Sequence, residues 1–327
     1  MTVPSSLVAV AMGDFNRYVR TFCSAGLAAT EVAPGILQIV RDPSYLSLLL
    51  SVGLHGDETA PIELVTQLID TLATQPEQLA INLMIVVGNP AAIAQGRRFV
   101  EVDLNRLFSH DQGDLKTKVE SVRAHQIMQA SRDFFEAAHG ARWHLDLHAA
   151  IRPSLYPTFA LVPDAIMLPQ KQALVSLLGH AGVGAVIVNR SAASTFSAFT
   201  AAQLDAASAT VELGQIGALG RNNMTNFADA ATTLATLLRE ARVAGTPRRM
   251  PVIFALAKEI IKISDAFVLH IDPAMANFTP LAPDSIIATD GAVIHRVGPC
   301  EERMVFPNPS VRIGQRAGLM VVPGAIG

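Results

Sequence analysis

The sequence predicts an α/β protein: a mixed sheet with helices on both faces, followed by a small β-rich domain. Three observations carry this expectation. Short β-branched or leucine-rich runs alternate with longer helical patterns through the first three quarters of the chain. The chain has 327 residues, 50% of them hydrophobic, which at roughly 150 residues per domain suffices for about two domains with cores of their own. Near Gly245-Thr246-Pro247-Arg248-Arg249-Met250-Pro251 the alternation stops, and the chain continues as short apolar runs separated by turn residues.

Taken in order, the strand candidates are Leu46 to Val52, Ile81 to Val87, Trp143 to Leu147, Thr158 to Val162, Ala185 to Val188 and Thr210 to Leu213. Helical patterns lie between and after them, over Pro61 to Leu72, Lys116 to Ala138, Ala165 to Leu178 and Thr225 to Val243. The Gly- and Pro-rich stretch divides residues 1–247 from residues 248–327. Beyond it, Asp272-Pro273, Ala282-Pro283-Asp284, Asp290-Gly291, Pro307-Asn308-Pro309 and Gly314 recur with the rhythm of small antiparallel β structure. No internal repeat or low-complexity tract interrupts this plan.

Composition excludes several classes. Charged residues make up 16% of the chain, and 25 Lys+Arg against 28 Asp+Glu give a net charge of -3, which argues against a basic nucleic-acid reader. Cys23 and Cys300 cannot build a disulfide framework, so a reducing compartment and two ordinary buried thiols are expected. The opening MTVPSSLVAVAMGDF has no basic residue ahead of its apolar stretch and meets Asp14 early, a poor fit to a secretory signal; a cytoplasmic protein is expected. The longest stretch without Asp, Glu, Lys or Arg, Gln172 to Asn189, contains Gly179, His180, Gly182 and Gly184. It reads as a buried helix followed by a strand, and no membrane association is expected.

The first string with chemical content is Gly53-Leu54-His55-Gly56-Asp57-Glu58, at the carboxyl end of a predicted strand, where open α/β sheets bind ligands. His55 and Glu58 are close enough to converge on one metal from a tight turn that Gly56 would permit. Read alone, Glu58 serves equally well as a helix N-terminal carboxylate and His55 as a loop residue. A second string, His144-Leu145-Asp146-Leu147-His148, alternates with period two, placing His144, Asp146 and His148 on one strand face. A strand-end histidine beside an inward Asp146 suits a metal ligand whose tautomer a carboxylate fixes, and a solvated polar edge would show the same pattern. Together the strings supply two imidazoles and one carboxylate, the His2Glu set of hydrolytic zinc sites. Such a set leaves net positive charge on the ion to polarise a carbonyl and acidify bound water.

A proton acceptor outside the ligand set is also needed. Glu212, alone among apolar residues in Thr210-Val211-Glu212-Leu213-Gly214, offers one, because burial would raise its pKa into the range of a general base. An edge-strand glutamate facing water is the plainer alternative. Between the metal strings, Gly96-Arg97-Arg98 and Asp103-Leu104-Asn105-Arg106 present arginines on a loop after Gly88-Asn89-Pro90. Guanidinium groups beside a cation suggest a small anionic substrate, although the run by itself reads as a solvated loop.

Ordered along the chain, the His55-to-Glu58 turn, Gly88-Asn89-Pro90, Asp103-Leu104-Asn105-Arg106, Asp146-Leu147-His148 and Val211-Glu212-Leu213-Gly214 resemble the motifs of the succinylglutamate desuccinylase and aspartoacylase family. Similarity to the desuccinylase branch rests on HGDETAPIEL from His55, DLHAAIR from Asp146, Phe306-Pro307-Asn308-Pro309 and Arg316-Ala317-Gly318-Leu319-Met320. The resemblance implies a zinc-carboxypeptidase-like catalytic domain with a small β domain after it, hydrolysing N-succinylglutamate to succinate and glutamate in arginine catabolism. By the same resemblance His55, Glu58 and His148 match the ligands of one zinc ion per chain, and Glu212 matches the catalytic base. Arg98 matches the residue that polarises the scissile carbonyl, Asn105 and Arg106 the pair that holds the α-carboxylate, and Arg152 an arginine expected to read the succinyl group.

Two positions depart from the family pattern: Asp57 stands where Asn is usual, and Pro153 follows Arg152 where Gly is usual. Neither removes a ligand. The aspartoacylase branch is expected to bring a tyrosine from its second domain, and here the last tyrosine is Tyr156. Rival expectations are a deacylase or carboxypeptidase on another acidic N-acyl amino acid, and a non-enzymatic zinc-binding protein of the same fold. A metallophosphatase has its motifs in another order, the chain has no Gly-x-Ser-x-Gly elbow, and Gly182-Val183-Gly184 lacks the third glycine of a dinucleotide loop. Oligomeric state is not legible.

Overall fold

The structure is a computed structural model that describes residues 3–109, 111–190, 194–272 and 274–326. Helices α1 (Ser5–Ala11) and α2 (Asn16–Ser24) precede the hairpin of β1 (Ala28–Ala33) and β2 (Ile36–Val40). The α/β alternation follows as β3 (Ser47–Val52), α3 (Ala60–Ala73), β4 (Asn82–Val87), α4 (Pro90–Ala94), α5 (Val119–Glu136), β5 (Arg142–Ala150), β6 (Thr158–Pro163), α6 (Leu168–His180), β7 (Ala185–Asn189), α7 (Phe196–Leu204), β8 (Ala207–Gln215) and α8 (Ala228–Glu240). The remainder is β9 (Val252–Ile261), β10 (Phe267–Leu269), β11 (Thr279–Leu281), β12 (Ile286–Asp290), β13 (Val293–Arg296), β14 (Glu302–Val305) and β15 (Arg316–Pro323).

Each strand and helix expected from the sequence is present, with ends moved by a few residues. Leu46 to Val52 becomes β3, buried on both faces. Leu48, Leu50 and Val52 enter one core while Leu49 enters the other, which is how an unbroken apolar run behaves between two helical layers. The helix expected from Lys116 begins at Val119, because Gly113–Thr117 forms a 3-10 turn ahead of it. Sequence pattern missed α1, α2, α4, α7 and the β1–β2 hairpin. The α7 segment FSAFTAAQL is apolar around most of its circumference and so shows no helical period.

Among the described residues a 12-stranded sheet runs in the order β1-β2-β4-β3-β5-β8-β6-β7-β9-β15-β14-β11. Its middle is parallel from β4 through β3 and β5 to β8, so the carboxyl ends of β3, β5 and β8 meet at one edge of the sheet. Past Pro251 the chain continues this sheet: β9 pairs in parallel with β7, and β15, β14 and β11 extend it antiparallel. A separate small sheet, β10-β12-β13, carries the rest. The turn expected at Asp272-Pro273 falls partly on Pro273, outside the described residues.

Cys23 and Cys300 correct one expectation, because both are exposed rather than buried. Cys23 lies on the outer side of α2, where Phe22 takes the inward position, and Cys300 lies in the link between β13 and β14. The stretch Gln172 to Asn189 is, as expected, the end of a helix and then a strand. No helix among the described residues is long and apolar enough to cross a membrane.

Candidate active site

The end of β3 sets the first ligands. Gly53 turns the chain with φ +62, a conformation that side chains rarely adopt. Gly56 has a different role from the turn former expected. Its φ is ordinary, but a Cβ there would lie 2.3 Å from the Ala92 carbonyl carbon. Its N–H donates to the Arg98 carbonyl at 3.1 Å, which ties the His55 turn to the arginine loop.

On β5, His144, Asp146 and His148 are buried in an interior strand, not on a solvated edge. Register places Asp146 beside Ser51 of β3 and His148 opposite Glu212 of β8. His55, Glu58 and His148, all buried, each offer one ligand atom, and these atoms lie within 4.8 Å of one another. His55 Nδ1 stands 2.7 Å from Glu58 Oε1, and His148 Nδ1 stands 2.8 Å from Glu58 Oε2. The far nitrogens face carboxylates: His55 Nε2 lies 3.0 Å from Asp103 Oδ1, and His148 Nε2 lies 3.0 Å from Asp146 Oδ2. A proton on Nε2 facing each carboxylate would leave the Nδ1 lone pair turned toward Glu58, the arrangement a metal-ligating imidazole needs, and Arg98 Nη2 also lies 3.1 Å from His55 Nε2.

Electrostatics agree with this donor set. Burial alone would push His55 and His148 down, but Glu58 and Asp103 around the first, and Asp146 and Glu58 around the second, hold both above the ordinary imidazole value. Burial would push Glu58 up, yet the two imidazoles hold it well below the usual carboxylate range. Surroundings that favour an imidazolium proton favour a divalent cation in its place, so the residues fit a metal ion. Behind them Ser51 Oγ donates to Asp146 Oδ1 at 2.6 Å and meets His144 Nε2 at 2.8 Å. Burial pushes His144 down to about 4, so it is neutral, and its Nδ1 accepts from Thr200 Oγ1 at 2.7 Å.

Glu212 belongs to an interior strand as well, which removes the water-facing alternative. Its Oε2 is buried and has no hydrogen-bond partner among the described residues. Burial first, and then the Glu58 carboxylate, push it up to about 7. Arg98 donates from Nη1 to Glu58 Oε1 at 2.9 Å. Asn105 is fixed by the Phe196 N–H donating to its Oδ1 at 2.9 Å, and Arg106 Nη1 reaches the Asn105 carbonyl at 3.1 Å. Glu120 positions this loop from behind, its buried carboxylate accepting from the N–H groups of Val100, Glu101 and Val102.

One cavity of about 530 Å³ joins these groups: His55, Glu58, Arg98, Asn105, Arg106, His148, Arg152 and Glu212 all line it. Asp146 lies behind the wall. Asp57 leaves Oδ1 buried without a partner among the described residues and contributes negative charge felt by Arg98. The Pro153 carbonyl accepts from the Asn277 N–H at 2.8 Å, which pins the Arg152 loop to the C-terminal segment. Sequence reasoning gave no role to Asp103, the partner of His55, nor to Asn277, Arg312 and Arg316, which reach the same cavity from beyond residue 250. Only the fold brings those positions near His148.

Fold and site together define an α/β metallohydrolase with a His2Glu centre at the carboxyl edge of a mixed sheet. A family model described as the succinylglutamate desuccinylase/aspartoacylase catalytic domain matches residues 44–238, and one described as the AstE/AspA barrel-sandwich hybrid domain matches residues 249–324. The chain belongs to the succinylglutamate desuccinylase/aspartoacylase family. A protein of Burkholderia thailandensis named succinylglutamate desuccinylase is 41% identical over 282 residues, covering 84% of this chain and 79% of its own. Among solved structures, the protein from Vibrio parahaemolyticus titled succinylglutamate desuccinalase superposes with a TM-score of 0.83 at 30% identity, covering 92% of this chain and 89% of its own. The succinylglutamate desuccinylase of Chromobacterium violaceum gives 0.80 at 33% identity, covering 94% and 98%.

Proposed function

We propose that the chain hydrolyses N-succinyl-L-glutamate to succinate and L-glutamate with one zinc ion per chain, as the last step of arginine catabolism through succinylated intermediates. The observation that carries this reading is the convergence on one cavity of a buried His2Glu set, the buried Glu212 carboxylate whose Oε2 has no partner among the described residues, and Arg98, Arg106 and Arg152. Relatives named for this activity over most of their length support the choice of substrate. The division into a catalytic part over residues 1–247 and a β-rich part over 248–327 is retained, supported by family models of which one ends at 238 and the next begins at 249.

His55, Glu58 and His148 would hold the ion, and two neutral imidazoles with one carboxylate suit zinc. When bound, zinc supplies the Lewis acidity that polarises the scissile carbonyl and acidifies water. Asp103 and Asp146, each 3.0 Å from an imidazole Nε2, would keep the two imidazoles in the ligating tautomer when the ion is bound. Glu212 accepts a proton from the attacking water and returns it to the departing amine nitrogen, a task matched to a carboxyl held near neutrality. Arg98 meets the carbonyl oxygen as negative charge gathers on it. Asn105 and Arg106 hold the α-carboxylate, and Arg152 pairs with the distal carboxylate of succinyl, which acetyl lacks.

A substrate panel on zinc-loaded protein tests the reading, with metal content measured on the same sample. N-succinylglutamate should be turned over in preference to N-acetylaspartate, N-acetylglutamate and acidic dipeptides. Preference for N-acetylaspartate would move the chain to an aspartoacylase reading, and no turnover of any of them by the metal-loaded chain would leave a metal-binding protein.

A further inference from the structure

The substrate proposed above has three carboxylates at neutral pH. Arg106 and Arg152 are assigned to the α-carboxylate and the succinyl end, and Arg98 to the carbonyl oxygen. That leaves the side-chain carboxylate of the glutamate moiety without a partner. The cavity supplies another cation. Arg316, the first residue of β15, lines the same cavity as Arg106, although 210 positions separate them in sequence. Its side chain is 19% exposed, and its ion pair with Glu259 on the neighbouring strand β9 uses one nitrogen, Nη1, at 3.2 Å. Glu259 does not line the cavity. Arg312 lines the same cavity but is solvent-exposed.

Burial first, and then the nearness of Arg106, hold the Arg316 guanidinium below its ordinary pKa, with Glu259 opposing. Two guanidinium groups that repel each other across a cavity are relieved by anions placed beside them. Resting on the proposed function, we infer that Arg316 is a specificity-determining residue that pairs with the side-chain carboxylate of the leaving amino acid while Arg106 holds its α-carboxylate. The C-terminal segment thereby completes the amino-acid pocket, and the enzyme selects a dicarboxylic amino acid on the amine side independently of how it reads the acyl group.

The test compares N-succinylglutamate with N-succinylglutamine, which differ only in that side-chain charge, on wild type, Arg316→Met, Arg316→Lys and Glu259→Gln. Arg316→Met keeps most of the apolar stem and removes the charge. Its kcat/KM for N-succinylglutamate should fall about 10²-fold, the effect of stranding a buried charge, against less than about threefold for N-succinylglutamine. Metal content should stay at the wild-type level. Arg316→Lys, which keeps the charge without the planar fork, should lie between, and Glu259→Gln should keep the wild-type ratio. Equal losses on both substrates, or loss of the ratio in Glu259→Gln, would reduce Arg316 to a structural partner of Glu259 and overturn the inference. Equilibrium binding of L-glutamate and L-glutamine reads the same contact without turnover. If wild type fails to hydrolyse N-succinylglutamate, the functional reading falls, while a preference for glutamate that Arg316→Met abolishes would still support the clamp, and its absence would refute it.

Discussion

Replacing Glu212 by Gln tests two properties of one buried carboxyl. The substitution keeps size and shape but removes the base, so the chemical step should slow by at least about 10²-fold, which is about 3 kcal/mol of transition-state stabilisation. None of the three converging ligand atoms comes from Glu212, so metal content should not change. A base must be unprotonated to act, so wild-type kcat/KM should fall as pH drops through about 7, or somewhat lower with a cation beside the carboxylate, and the residual rate of the variant should lack that limb. The same shift predicts a stability difference in chelator-treated protein. The Glu212 carboxyl in the folded chain holds its proton up to about 7 against an ordinary value of 4.5, so the folded state binds that proton more tightly than the unfolded one. Wild type therefore loses up to about 3 kcal/mol from this group as pH rises from about 4.5 to about 7, and Gln does not. Urea titrations of both proteins should give the variant its largest relative gain near pH 8 and almost none near pH 4. Loss of metal in the variant, turnover within about fivefold of wild type, or a stability difference that ignores pH would refute the reasoning.

His148→Ala removes one of three ligands and should abolish most metal binding, read by elemental analysis, together with nearly all hydrolysis. Asp146→Asn leaves the ligands in place but weakens control of the His148 tautomer, so metal affinity measured by chelator competition should fall about 10- to 100-fold. Arg98→Ala should lower kcat by about 10² to 10³ with a smaller change in KM, because its donor matters most when charge has gathered on the oxygen. Arg106→Ala should mainly raise KM, since the α-carboxylate does not change charge during the reaction. Arg152→Ala should narrow the preference for succinyl over acetyl substrates, read as a ratio of kcat/KM values.

Local sequence disclosed what local chemistry decides. The polar face of β5 was readable because period two puts His144, Asp146 and His148 on one side, and the apolar run from Leu46 to Val52 marked a strand. The interior place of Glu212 was less accessible, because whether TVEL lies at an edge or in the middle depends on β5 and β6 pairing on either side of it. Asp103 and Arg316 had no legible role: one acts on a histidine 48 positions away and the other enters the cavity from the far end of the chain. Gly56 shows a subtler limit. It was expected for its freedom in a turn, but close backbone approach at Ala92 is what requires it. The exposed Cys23 and Cys300 went against the statistical burial of free thiols, which carries no information about the particular helix face or link on which a cysteine falls.

The most direct measurement of the central claim follows succinate and L-glutamate by NMR as N-succinylglutamate is consumed, using protein stripped of metal and then titrated with zinc. The account predicts no turnover by the stripped protein, products appearing in equal amounts as zinc is added, and a plateau at one zinc per chain that His148→Ala does not reach. Undiminished hydrolysis by the stripped protein, or a plateau at two zinc ions per chain, would contradict it.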